Sequence, residues 1–152
     1  MIDTRQFMQH IIVPALTAID LDSAAAEELL LGTALQESGL RYLVQLGNGP
    51  AKGFFQMETA THNDIWDNYL RYRSELSAHI HVISSQQTAQ EMVGNLLYAA
   101  AMCRVHYLRV SESLPKAGKH AEQAKYWKTH YNTTQGRGTE AEYIENWERG
   151  GL

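Results

Sequence analysis

One stretch restricts this chain more than any other. Between residues 88 and 110, apolar side chains recur at Met92, Val93, Leu96, Leu97, Ala100 and Cys103, the spacing of one helix face, and Tyr107 extends the stripe. Ala99, Ala100 and Ala101 keep the flanks small, so neighbours can approach on several sides. The pattern predicts a helix over 88–110, buried near the centre of the fold. Cys103, on that stripe beside Met102, reads as a small core residue.

The remaining segments read as helices that surround it. Residues 4–18 place Phe7, Met8, Ile11, Ile12 and Ala15 on one side, and Pro14 is expected to kink the segment or start a second piece. Asp22 and Ser23 are good N-caps for a helix from Ala24 to about Ser38, with Gly39 as its stop. A helix over 60–72 turns Ile65, Trp66, Tyr69 and Leu70 inward, and another covers about 120–131. Thr139 and Glu142 match a capping box for a last helix through Glu148. From Gly39 to Lys52 the chain is loop-like, with Gly47, Asn48, Gly49 and Pro50 as turn chemistry. The island GFFQM, residues 53–57, is too short for periodicity to choose between strand and helical turn. The expected fold is mainly α: one domain over 1–152, with a buried central helix and at most a small irregular β element near residues 41–57.

Composition narrows the function. Hydrophobic residues make up 44% and charged residues 20% of the 152, an ordinary globular balance. A net charge of -4 argues against a nucleic-acid partner, which selects a basic face. The single cysteine excludes an intramolecular disulfide. CxxC and HExxH spacings are absent, and the pairs His79 with His81 and His62 with Asp64 lack a third ligand at a defined spacing. No metal and no cofactor is therefore expected. No stretch reaches the roughly 18 apolar residues of a membrane span, so membrane insertion is not expected. The first residues carry neither a basic n-region nor a continuous apolar run, so synthesis in the cytoplasm without an export tag is expected.

Three segments can carry chemistry. Glu37 ends an apolar helix in QESGL. A carboxylate there faces the negative end of the helix dipole, and burial against Leu35, Leu40 or the Phe pair would act in the same direction. Both effects raise its pKa toward what a general acid needs near neutral pH. In GFFQM, Gly53 allows close approach, and Gln56 is an amide between the apolar Phe55 and Met57, requiring a hydrogen-bond partner in the protein or in a polar ligand. In HYNTTQGRGT, Tyr131 and Asn132 precede an open glycine backbone at Gly136 and Gly138. Taken singly, each has a plainer reading: a solvated helix-end Glu, core aromatics, and a helix cap with its connecting turn.

Read in order, Glu37-Ser38, Gly53-Phe54-Phe55-Gln56, the run NLLYAAAMCRVHYL and Tyr131-Asn132 with its glycines resemble the transglycosylase SLT family. This is a branch of the lysozyme-like superfamily that includes goose-type lysozyme, and its ES, GLMQ, central-helix and YNAG segments occur in the same order. The resemblance covers roughly residues 23–139. Glu58-Thr59 stands where the family has Met-Pro, and Thr133-Thr134 where it has Ala-Gly. GFFQME with HYNT is also similar to small phage-encoded members, which are virion or lysis proteins.

The resemblance implies a lysozyme-like fold and, as substrate, peptidoglycan glycan strands cut between MurNAc and GlcNAc. Glu37 would protonate the glycosidic oxygen and then act as base while the 6-hydroxyl of MurNAc closes a 1,6-anhydro ring with help from the N-acetyl group. Ser38, Gly53, Phe55, Gln56, Tyr131 and Asn132 would bind substrate or shape its site, with Gln56 orienting the sugar and Tyr131 the acid. Hydrolysis is the alternative chemistry. It needs a second carboxylate, for which Glu58 is the foremost candidate, although it also reads as a surface residue at a helix start. Two non-enzymatic readings stay open: an inactive lysozyme-like component of a phage virion, partnered by other virion proteins, and an all-α regulatory domain.

Overall fold

Two helices, not one, form the buried centre. The computed structural model describes residues 1–132 and 136–152; Thr133 and Thr134, the departures from the YNAG segment, lie outside the described residues. Helix α1 (Thr4–Phe7) runs through a π-helical turn (Met8–Ile12) into α2 (Val13–Ala18), and α3 spans Ala24–Glu37. A hairpin pairs β1 (Ala51–Lys52) with β2 (Met57–Glu58). There follow α4 (Thr59–Asn68), a 3-10 turn (Leu70–Tyr72), α5 (Ser74–Ile83), α6 (Glu91–Gly94) and α7 (Leu96–Leu108). The chain closes with α8 (His120–Trp127), a second π-helical turn (Lys128–Asn132) and α9 (Glu140–Gly150). The architecture is mainly α, as expected.

Local chemistry accounts for most of these boundaries. Ser23 Oγ accepts from the Ala26 N–H at 3.1 Å, and Thr139 Oγ1 from the Glu142 N–H at 3.1 Å. Pro14 falls in the first turn of α2, where a missing N–H costs least. Helix α3 is buried on every side over Leu29, Leu30, Leu31, Thr33 and Ala34. It is joined to α7 where the Tyr107 hydroxyl meets Thr33 Oγ1 at 2.8 Å.

The helix expected over 88–110 is interrupted. Asn95 sits at φ -110°, ψ 96°, and its Oδ1 accepts from the Tyr98 N–H at 3.0 Å, so α7 starts at an Asn cap instead of continuing α6. The Asn95 amide nitrogen also reaches the Ile83 carbonyl at 3.2 Å, which ties the break to the end of α5. Beyond the break, Tyr98, Ala99, Ala100, Ala101, Met102, Cys103, Val105 and Tyr107 are buried, while Val93, Leu96 and Leu97 remain half-buried. Helix α5 has no counterpart in the sequence reading. Its one fully buried side chain, Ile80, gives too weak a periodicity to mark it.

The hairpin supplies the small β element, and GFFQ is its turn. Ala51 pairs with Glu58 and Lys52 with Met57. Gly53 has φ +76° and Gln56 has φ +48°. Phe54 and Phe55 turn into the core against Phe7, at ring separations of 5.7 and 6.1 Å. Among the described residues no helix is long and apolar enough to cross a membrane.

Gly53 fixes where this turn docks. A Cβ at that position would lie 2.6 Å from the Met92 carbonyl oxygen of α6, on a backbone already in the left-handed region. Gly53→Ala is expected to cost about 2–4 kcal/mol, combining the left-handed penalty with overpacking. That corresponds to a fall in Tm of roughly 5–15 °C. Thermal denaturation followed by circular dichroism checks this, and an unchanged Tm means that the turn is not pressed against α6.

Candidate active site

Glu37 occupies the last position of α3, half-buried, with Ser38 as the C-cap. Its Oε2 accepts a hydrogen bond from the Trp127 indole N–H at 3.0 Å. Removal from water pushes the carboxyl up to about 7, and the Trp127 N–H pulls the other way. A carboxyl in that range holds its proton for a useful fraction of the time near neutral pH, as general acid catalysis requires.

Glu37 opens on a cleft of about 760 Å³. Gln56, Glu58, Tyr131 and Asn132 line the same cleft, so three separated segments converge on one place. Glu58 is exposed and sits immediately before α4. Gln56 is held by its own turn, its amide nitrogen donating to the Gly53 carbonyl at 2.8 Å. Asn132 Oδ1 accepts from Lys128 Nζ at 2.7 Å.

Several expected roles change. Tyr131 does not hold the acid: its hydroxyl donates to the Phe55 carbonyl at 2.6 Å and braces the hairpin turn against the second π-helical turn. Its ring packs on His106 and Tyr107 at 4.8 and 5.3 Å, and burial drives its pKa well up. The residue that holds Glu37 is Trp127. Ser38 turns inward, its Oγ 2.6 Å from the Phe54 carbonyl and 3.1 Å from the Ala34 carbonyl, and it accepts from the Leu40 N–H at 3.2 Å. That hydroxyl locks the end of α3 to the hairpin turn, and its proton is taken up by backbone carbonyls. Phe55 is a core side chain that does not line the cleft, and its carbonyl accepts from Tyr131. Gly53 shapes the turn and does not line the cleft.

Other contributors carry no sequence motif, and Trp127, an amphipathic aromatic that could line a groove but at helical spacing is more often core, is one of them. Trp127 is fully buried between α8 and α9, its ring 5.4 Å from that of Tyr143. A buried indole N–H needs an acceptor, and that requirement was the available signal. Lys128 Nζ gathers Asn132 Oδ1 and the carbonyls of Gly136 and Gly138, at 2.7, 2.9 and 2.7 Å. This pulls the glycine segment across Trp127 so closely that a Cβ at Gly138 would come within 2.6 Å of the indole. Arg137, on that segment, and His106 complete the cleft wall. His106 Nε2 contacts the His130 carbonyl at 2.9 Å, which requires the proton on Nε2 and leaves Nδ1 as an acceptor. Burial, with the nearby Arg109 and His130 charges, lowers its pKa and favours the neutral ring. Cys103, fully buried behind Tyr131, has its thiol pushed well up by burial and is a core residue.

No known protein family, curated protein or solved structure matches this chain.

The raised pKa has a consequence for stability. A carboxyl titrating near 7 when folded and near 4.5 when unfolded favours the fold below pH 4.5 and opposes it progressively as pH rises through 7. The full effect is about 3 kcal/mol. Glu37→Gln removes it while keeping the acceptor for Trp127. The variant is expected to match the parent at pH 4 and to exceed its stability at pH 8, a difference that urea denaturation at the two pH values measures. Equal gaps at both pH values mean that Glu37 is not held out of water.

Proposed function

We propose that this chain cleaves peptidoglycan glycan strands as a lytic transglycosylase with a lysozyme-like fold. The observation that carries the reading is the Glu37 carboxyl, kept protonatable near neutral pH and opening on a cleft with Gln56, Glu58, Tyr131 and Asn132. The order of the ES, GFFQ, central-helix and YN segments supports it.

In this mechanism the glycan lies in the cleft with the scissile oxygen at Glu37. Protonated Glu37 gives its proton to the leaving oxygen as the anomeric bond breaks, and the substrate's N-acetyl oxygen takes up the developing positive charge. Ionised Glu37 then removes the proton from the MurNAc 6-hydroxyl as that oxygen attacks the anomeric carbon, which regenerates the acid and leaves a 1,6-anhydro end. No water is consumed. The Trp127 N–H holds the carboxylate during the interval in which it is charged.

Hydrolysis is the second reading, because Glu58 lines the same cleft and is the carboxylate available to activate water. An inactive virion component is the non-enzymatic alternative. Action on the bacterial wall after delivery by a virion, with virion proteins as partners, follows from the similarity to phage-encoded members.

Digestion of purified peptidoglycan followed by mass analysis of the muropeptides distinguishes these. Anhydro ends are expected; reducing ends identify a hydrolase, and no products from several wall types support the structural reading. Glu37→Gln is expected to lower turnover by about 10²–10⁴. Glu58→Gln is expected to keep turnover and product ends. If Glu58→Gln abolishes activity as fully, the two-carboxylate hydrolase is the better account.

Trp127→Phe removes the one hydrogen bond that lowers the pKa of Glu37. The acid then keeps its proton to higher pH, so the alkaline limb of the rate profile is expected to move upward. A limb at unchanged or lower pH would show that the indole N–H does not tune the acid.

A further inference from the structure

Away from the cleft, one buried charge has no partner in the chain. Arg104 of α7 is 8% exposed, and its Nε and Nη1 are buried without an acceptor. Among the described residues no carboxylate pairs with it. The ionisable groups nearest its charge are Tyr126, Cys103 and Tyr69, and burial holds the Tyr126 hydroxyl and the Cys103 thiol in their neutral forms. A guanidinium keeps its proton at neutral pH even where removal from water lowers its pKa. A cation so placed is costly until an anion meets it.

Tyr126 forms one wall of a cavity of about 650 Å³, between the segment at 112–116 and α8 with the second π-helical turn. The Tyr126 hydroxyl donates to the Glu112 carbonyl at 3.0 Å, which ties that segment to the wall. Lys116, Lys119 and Lys125 line the cavity, are exposed, and enter no ion pair among the described residues. Two carboxylates also line it: Glu112, 3.5 Å from His130, and Glu122, which is exposed. Three solvated cations in front of one buried, planar cation suit a ligand with more than one negative charge. A carboxylate would satisfy the guanidinium alone. A phosphate accepts from the guanidinium through two oxygens and still offers an oxygen to a lysine.

We propose that this cavity binds a phosphate group, with Arg104 as its buried anchor beside Tyr126 and Lys116, Lys119 and Lys125 as its rim. The site shares no lining residue with the Glu37 cleft and does not rest on the muramidase reading.

Thermal denaturation in inorganic phosphate, against chloride at matched ionic strength, tests the site. Phosphate at a hundredfold excess over its Kd is expected to raise the parent Tm by about 5–10 °C above the chloride control. Arg104→Met keeps the apolar stem and removes the charge. It is expected to be at least as stable as the parent without phosphate. Its phosphate affinity is expected to fall about 10–100-fold, the loss of one charge-assisted contact. A purely structural role for the charge predicts the reverse: a lower Tm without phosphate and an undiminished gain with it. Should Arg104→Met not fold, Lys119→Ala combined with Lys125→Ala alters only exposed positions and is expected to weaken phosphate binding several-fold. Free glycerol phosphate and a poly(glycerol phosphate) chain distinguish the two sources of the group: an equal Kd per phosphate identifies a small phosphate ester, and a lower Kd for the chain identifies a phosphodiester polymer. No phosphate-specific shift in the parent, or a shift that the variants leave unchanged, overturns the proposal.

Discussion

A carboxyl group given one hydrogen bond where water would give several is the feature on which the site depends. Glu37 terminates α3 at the negative end of its dipole and is half-buried, and its protein donor is the Trp127 N–H at 3.0 Å. Desolvation outweighs that single donor, so the proton stays to about pH 7. The donor is itself fixed by packing: Trp127 is closed in by Tyr143 of α9 and by the backbone at Gly138, which Lys128 holds down. The α8–α9 pair therefore contributes more than enclosure of the core, since it determines which polar atom the acid meets.

The second dependence is the hairpin turn. Ser38 ties Phe54 to the end of α3, Tyr131 ties Phe55 to the second π-helical turn, and Gly53 sits against α6. Three elements distant in sequence thus share one four-residue turn, and two of the three links end on its backbone carbonyls. Buried carbonyls need partners, and both hydroxyls satisfy that need while holding the turn in place. The short length of GFFQ hides this in the sequence, because the contacts are made by the backbone of residues whose side chains only fill the core.

How much was legible follows the same division. The Ala99–Ala101 run, the Ser23 and Thr139 caps and the position of Glu37 at a helix end were readable, because each is a local pattern with a local cause. The break at Asn95 was not. The apolar residues on either side keep helical phase, so periodicity runs through a residue whose side chain in fact caps α7. Helix α5 carries too few buried side chains to register. Tyr131 was recognised as part of the site but given the wrong partner, since nothing local says whether a hydroxyl reaches Glu37 or a carbonyl beside it. Trp127 is a core side chain. Its role depends on where one N–H points, and that is decided by α8 docking beside the end of α3.

Within the proposed muramidase function, the surroundings of the two carboxylates bear on the choice between transglycosylation and hydrolysis. Glu37 ends a helix at its negative pole, out of water, whereas Glu58 precedes α4 at its positive pole, in water. Carboxylates set in opposite surroundings are how two-carboxylate glycosidases divide acid and base duties. An exposed Glu58 also has solvent around it to activate. Against that, a reaction that uses the 6-hydroxyl begins with its nucleophile tethered to the reacting sugar, an advantage in effective concentration that a diffusing water lacks. In the proposed reaction the intramolecular route would therefore win wherever the sugar sat deep enough to bring its 6-hydroxyl to Glu37. Hydrolysis requires Glu58 to position a water molecule well enough to offset that tether, and an exposed side chain at a helix start is poorly restrained for such a task. On this balance the anhydro product is the one expected of the proposed muramidase, even though a second carboxylate lines the cleft.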